Sequence, residues 1–161
     1  MEELVPTLEG EGRLLSSTEP FPFSRPTFEA SKTVFNLVAA DNEFERDFAH
    51  FLQEATDVRA FAKLPQRFGF AIEYTDSATN LRYYEPDFVA VTYAGTHYLV
   101  ETKGREDVDV AYKDRAATIW CESATLLTEV AWRYMKVPQV EWAKLQPTTL
   151  DDVEVAFAAP N

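Results

Sequence analysis

The chain has one cysteine, Cys121, and two histidines in 161 residues. A disulfide framework is therefore excluded, and no Cys/His cluster with zinc-ligand spacing occurs. No apolar run approaches the ~20 residues of a membrane helix or the pattern of a signal sequence. The expected compartment is the cytoplasm, with no membrane partner. Glycine is scarce, at five residues, and neither a Gly-x-x-x-x-Gly-Lys-Ser/Thr phosphate loop nor an Asp-Glu-x-His box is present, so this chain carries no ATP site. No internal repeat or low-complexity tract occurs. Positive charge is also in deficit: 15 Lys and Arg stand against 27 Asp and Glu, for a net charge of −12. Phosphate neutralisation by Lys and Arg supplies most non-specific nucleic-acid affinity, so a chain this acidic grips DNA weakly by itself. Its bases nonetheless gather in one stretch, as Arg59, Lys63, Arg67, Arg82, Lys103, Arg105, Lys113 and Arg115.

A length of 161 residues that are 46% hydrophobic suits one domain with a real core. Residues 1–30 hold four of the nine prolines and the run Glu19-Pro-Phe-Pro-Phe-Ser-Arg-Pro26, which favours an extended linker or docking segment anchored by Phe21, Phe23 and Phe28. From Asp41 a helix is expected. Asp41 or Asn42 can cap it, Glu45 follows Asn42 by three, and Phe44, Phe48, Phe51, Leu52 and Ala55 recur at helical spacing. Strands are expected over 68–74, 88–93 and 97–102, then a helix over 108–124 with Val110, Ala117, Trp120, Cys121 and Ala124 facing inward. A strand over 131–137 and a short helix from Pro138 follow. The order αβββαβ, with a helix crossing between the last two strands, predicts an α/β (α+β) fold with a mixed central sheet flanked by helices, that last pair running parallel. Residues 148–161 form an acidic C-terminal segment that this pattern does not place.

Chemistry concentrates between Glu85 and Gly104. Phe88-Val-Ala-Val-Thr-Tyr93 and His97-Tyr-Leu-Val-Glu-Thr-Lys103 are strand-like runs broken at Ala94-Gly95-Thr96, which makes a hairpin. Strand alternation points Glu101 and Lys103 to one face and Thr102 to the other. The turn near Gly95 carries Asp87 back beside Glu101. Pro86 belongs at a strand's start, so the acids sit where a ligand can reach them. Two carboxylates suit a hard cation such as Mg2+, which activates water and polarises a phosphodiester. Lys103 can then orient the attacking water or offset phosphate charge. An exposed Glu-x-Lys pair is otherwise an ordinary surface salt bridge.

Pro86-Asp87 and Glu101-Thr102-Lys103 resemble the two elements of the PD-(D/E)xK nuclease superfamily. With Ser31-Lys-Thr-Val-Phe-Asn36, Asn42-Glu-Phe-Glu45, Phe68-Gly-Phe-Ala-Ile-Glu-Tyr74, Tyr83-Tyr-Glu-Pro-Asp-Phe-Val89, Val100-Glu-Thr-Lys-Gly104 and Trp120-Cys-Glu122, the chain resembles the C-terminal endonuclease domain of the type III restriction (Res) subunit and related helicase-nuclease proteins, over approximately 31–147. That resemblance implies a restriction-endonuclease-like core and a Mg2+-dependent DNA endonuclease, with Mn2+ able to substitute. It implies catalytic Asp87, Glu101 and Lys103, and metal held by Asp87, Glu101 and the Thr102 carbonyl. Glu43 is the matching first-helix glutamate, or else an acid favoured by the helix dipole. Lys113, Arg105 and Gly104 are candidate phosphate contacts, Lys113 being otherwise a snorkelling surface lysine and Gly104 also a site for a sharp turn. Implied partners are double-stranded DNA, a helicase or translocase region and a modification subunit, with a homodimer one way to cut both strands. Branched DNA or RNA as substrate, and an inert copy of the fold serving as a protein-binding module, stay open.

Overall fold

A computed structural model describes residues 12–104 and 109–157. Its centre is a four-stranded sheet in the order β1 (Val58–Lys63), β4 (Phe88–Thr92), β5 (His97–Lys103), β6 (Trp132–Pro138). A separate two-stranded hairpin pairs β2 (Ile72–Thr75) with β3 (Leu81–Tyr84). Four helices accompany them: α1 (Glu43–Glu54), α2 (Val110–Thr128), the single-turn α3 (Gln139–Trp142) and α4 (Leu150–Phe157).

β1, β4 and β5 run antiparallel, and β6 lies parallel to β5 with His97 opposite Trp132 and Lys103 opposite Pro138. The parallel pair follows from the α2 crossover, which returns the chain to the same sheet edge. Gly95, at φ +89°, supplies the left-handed residue that the β4–β5 turn requires. The first expected strand is corrected. Residues 68–74 do not enter the main sheet: 66–68 form a 3-10 turn ended by Gly69 at φ +79°, and only Ile72 onward is extended, paired with β3. Its place beside β4 belongs to β1.

Two apolar clusters sandwich the sheet. On one face α1 and α4 bury Phe44, Phe48, Leu52, Leu150 and Val153 against Phe88, Ala90, Val100, Met135 and Val137. On the other, α2 and the β2–β3 hairpin bury Ala117, Cys121, Ile72, Tyr74 and Tyr84 against Leu99, with Trp120 packed edge-on to Phe70 and Trp132. Phe28 and Ala30 of the N-terminal segment lie against the first cluster, and Phe28 bridges Val38. Leu150 and Asp151 begin α4 by donating their N–H groups to Asp57, at 2.7 and 3.0 Å, which ties residues 150–157 to the start of β1.

Candidate active site

The β4–β5 register sets Phe88 opposite Val100, which places Asp87 and Glu101 side by side at the end of the sheet away from the Gly95 turn. Asp87 is anchored from the neighbouring strand: the Thr102 N–H donates to Oδ2 at 2.9 Å and the Thr102 hydroxyl donates to the same oxygen at 2.7 Å. Its Oδ1 faces Lys63 Nζ at 4.0 Å. Glu101 accepts at Oε2 from the buried Tyr84 hydroxyl at 2.8 Å. Burial pushes the Glu101 carboxyl up to about 8 and the Asp87 charge adds to the rise, while the Tyr84 bond, Lys103 and Lys113 oppose it. Lys103 ends β5, and Lys113 sits half-buried in the first turn of α2, both acting on Glu101 through charge.

Asp87, Lys103 and Lys113 all lie within electrostatic reach of Glu101. Glu43 is not among them: it is exposed in the first turn of α1. The buried first-helix acid is Glu45, two positions on and in phase with Phe48, Ala49 and Leu52. The Asn42 side chain accepts from the Glu45 N–H at 2.9 Å, and Glu45 Oε2 accepts from the Asp41 N–H at 2.6 Å, which reproduces a capping box shifted by one residue. Desolvation raises the Glu45 carboxyl to about 7, with Lys63 opposing and Asp87 reinforcing, so Glu45 is within the electrostatic reach of the site. The chain bends at Gly104, but with no positive φ and with a Cβ there meeting Gln139 Oε1 at an ordinary 3.5 Å, the bend does not require glycine. Arg105 lies outside the described residues.

Three residues around the site were not singled out as site residues from the sequence: Tyr84, Tyr134 and Lys63. Tyr84 holds Glu101, and Tyr134 extends the network by donating to Asp114 Oδ1 at 2.7 Å, with Lys136 Nζ on Asp114 Oδ2 at 2.7 Å. Lys63 ends β1 beside Asp87. Lys63 belongs to a strand whose partner, β4, is distant in sequence, and nothing local marked the Tyr84 hydroxyl as inward.

The carboxylates offer hard oxygens, with one buried beside the other's charge, and that donor chemistry suits a divalent cation that keeps much of its water shell. Among the described residues, no group of three or more His, Cys, Asp or Glu stands ready to hold a metal ion. A protein site here would consist of two acids and main-chain oxygen.

A mixed sheet flanked by helices, with paired acids at the end of adjoining strands, is a restriction-endonuclease-like core. The family described as "Endonuclease domain" matches residues 31–145, and the chain belongs to it as a PD-(D/E)xK-like endonuclease domain. No curated protein and no solved structure matches the chain.

Proposed function

We propose that this domain hydrolyses DNA phosphodiester bonds with a divalent cation, Mg2+ or Mn2+, held by Asp87, Glu101 and the Thr102 carbonyl. The observation that carries the reading is the meeting of Asp87 and Glu101 from adjoining strands, with Lys103 and Lys113 acting on the same carboxyl. When bound, the ion supplies Lewis acidity that activates water and polarises the phosphate. The chain's own groups do the remaining work. Thr102 fixes Asp87 by two bonds to one oxygen, Tyr84 fixes Glu101, Lys103 orients the attacking water, and Lys113 offsets phosphate charge. Glu45 replaces Glu43 as the first-helix acid, positioned to steady Asp87 through Lys63.

The reading extends to a nuclease module of a restriction or other DNA-defence helicase-nuclease system. An acidic chain with no ATP-binding loop is supported as the cutting part of such an assembly, delivered to DNA by a translocase and directed by a modification subunit. Nicking of supercoiled plasmid in Mg2+ or Mn2+ tests the catalytic claim. Wild type is expected to nick, with Asp87→Ala and Lys103→Ala each slower by about 10²-fold or more. Absence of nicking by wild type in both metals, or wild-type rates in both variants, refutes it. Branched DNA and RNA assayed in parallel define the substrate.

A further inference from the structure

The Lys63 side chain is 9% exposed, and among the described residues the contacts of its ammonium are long, with the Leu64 carbonyl at 3.5 Å, Asp41 Oδ2 at 3.6 Å and Asp87 Oδ1 at 4.0 Å, while Glu45 acts on it through charge. A buried ammonium carries three donors and is costly to desolvate unless acceptors lie at hydrogen-bond distance. The same ammonium lines a cleft of about 480 Å³ between the N-terminal segment and the end of β1, walled by Phe21, Phe23, Arg25, Asp41, Gln66 and Arg67. Three cations, Arg25, Lys63 and Arg67, line this cleft, and Asp41, Asp87 and Glu19 lie against them.

The cleft is held closed by two rim contacts, Arg25 Nη1 on Asp41 Oδ1 at 3.0 Å and Arg67 Nη2 on Glu19 Oε2 at 3.4 Å. All four side chains are more than half exposed, and ion pairs of that kind are weak and screened by salt. An arriving phosphate can take either guanidinium at small cost, and with two oxygens in plane it suits the Arg fork better than a single carboxylate contact does. Cations interleaved with aromatic rings are the arrangement that tracks a single strand, phosphates on the cations and bases on the rings. A cleft of about 480 Å³ lies within the roughly 300–1,000 Å³ range of ligand sites, room enough for a base and its phosphate.

We propose that this cleft receives a single strand of nucleic acid, with one phosphate seated on Lys63, flanking phosphates on Arg25 and Arg67, and a base against Phe21 or Phe23. The strand then runs directly past Asp87. The proposal rests on the nuclease reading for its consequence, since it names the form of substrate that the site takes: a strand unpaired beside the scissile bond.

The test is anisotropy titration of a labelled oligothymidylate with the full chain in EDTA across a range of NaCl, comparing wild type, Arg67→Gln, Lys63→Met and the Phe21→Ala/Phe23→Ala double variant. Wild type is expected to bind the single strand more tightly than a duplex of equal length. Arg67→Gln and Lys63→Met should each weaken binding roughly five-fold and flatten the log–log salt slope by about 0.7. The ring variant should weaken binding by a similar roughly five-fold factor with the slope retained. Arg67 is at an exposed rim, so Arg67→Gln carries the test even where Lys63→Met fails to fold by circular dichroism. Failure of wild type to bind, unchanged slope and affinity in Arg67→Gln, or displacement by polyglutamate as effective as by unlabelled oligothymidylate overturns the proposal. Plasmid nicking, run beside it, separates the two claims. Slopes that fall without any wild-type nicking retain the strand site and sink the nuclease, whereas nicking with unmoved slopes does the reverse.

Discussion

Glu101 folds into a position that favours its protonated form, because burial first and the Asp87 charge second raise its carboxyl to about 8. An unfolded glutamate titrates near 4.5, so between about 4.5 and about 8 the native state keeps a proton that the unfolded state has lost. Metal-free stability is therefore full below pH 4.5 on this account and falls as pH rises through that window, by a few kcal/mol at roughly 1.4 kcal/mol per pH unit. Urea melts in EDTA from pH 5 to 8.5 should show the decline, and Glu101→Gln should remove most of it. Glu45, raised to about 7, leaves a smaller residual slope of the same sign. Tyr84→Phe removes the one hydrogen bond that favours the Glu101 carboxylate, so it should raise the Glu101 titration further and weaken Mn2+ binding several-fold by calorimetry.

Among the elements, α1 makes the sharpest distinction between neighbouring residues. Glu43 is solvated, so Glu43→Gln should change stability by no more than about 0.5 kcal/mol and leave nicking intact. Glu45→Ala loses the Asp41 bond and should cost about 1 kcal/mol in thermal melts, together with slower nicking. In the β2–β3 hairpin, Asp76 accepts from the Ala78 and Asn80 N–H groups and from Arg82, whose bond is the main reason its carboxyl is lowered to about 2. A depressed carboxyl contributes stability above about pH 4 and loses it as pH falls toward 2. Asp76→Ala should accordingly lower Tm at pH 7, with the difference from wild type shrinking by pH 2.

The elements that could be read in the sequence are those whose partners are close along the chain. The 88–93 and 97–102 runs alternate and share a four-residue turn, and the α1 and α2 stripes repeat at helical spacing, so their hairpin, caps and inner faces followed from local chemistry. β1 was hidden because Val58-Arg-Ala-Phe-Ala-Lys63 begins four residues after a helix and four of its six residues are alanine or charged. Its strand state comes from pairing with β4, about thirty residues away. α4 was hidden for the same reason, its first N–H groups being satisfied by Asp57 from 93 and 94 positions earlier. At the site, the motif residues Asp87, Glu101 and Lys103 were legible. On α1 the resemblance pointed to Glu43, with an acid favoured by the helix dipole as the alternative, whereas the buried acid is Glu45, which shares the phase of Phe48, Ala49 and Leu52.

For the whole molecule, the charge distribution predicts how cation and substrate should behave together. A divalent ion that binds only the native state stabilises it by about 2.7 kcal/mol at a concentration 100 times Kd. Mn2+ should therefore raise Tm in wild type and not in Asp87→Ala, and the increment should be larger at pH 8 than at pH 5.5, where protons compete for Glu101. With a net charge of −12, the domain by itself should bind DNA weakly, and tethering to a basic DNA-binding partner should raise the apparent affinity.

The turn that reverses the chain between β4 and β5 leaves Ala94 and Gly95 exposed. Five strand residues separate this loop from Asp87, about 17 Å at strand rise. A fluorophore or epitope tag grafted at that tip would report on docking and turnover without entering the reaction chamber.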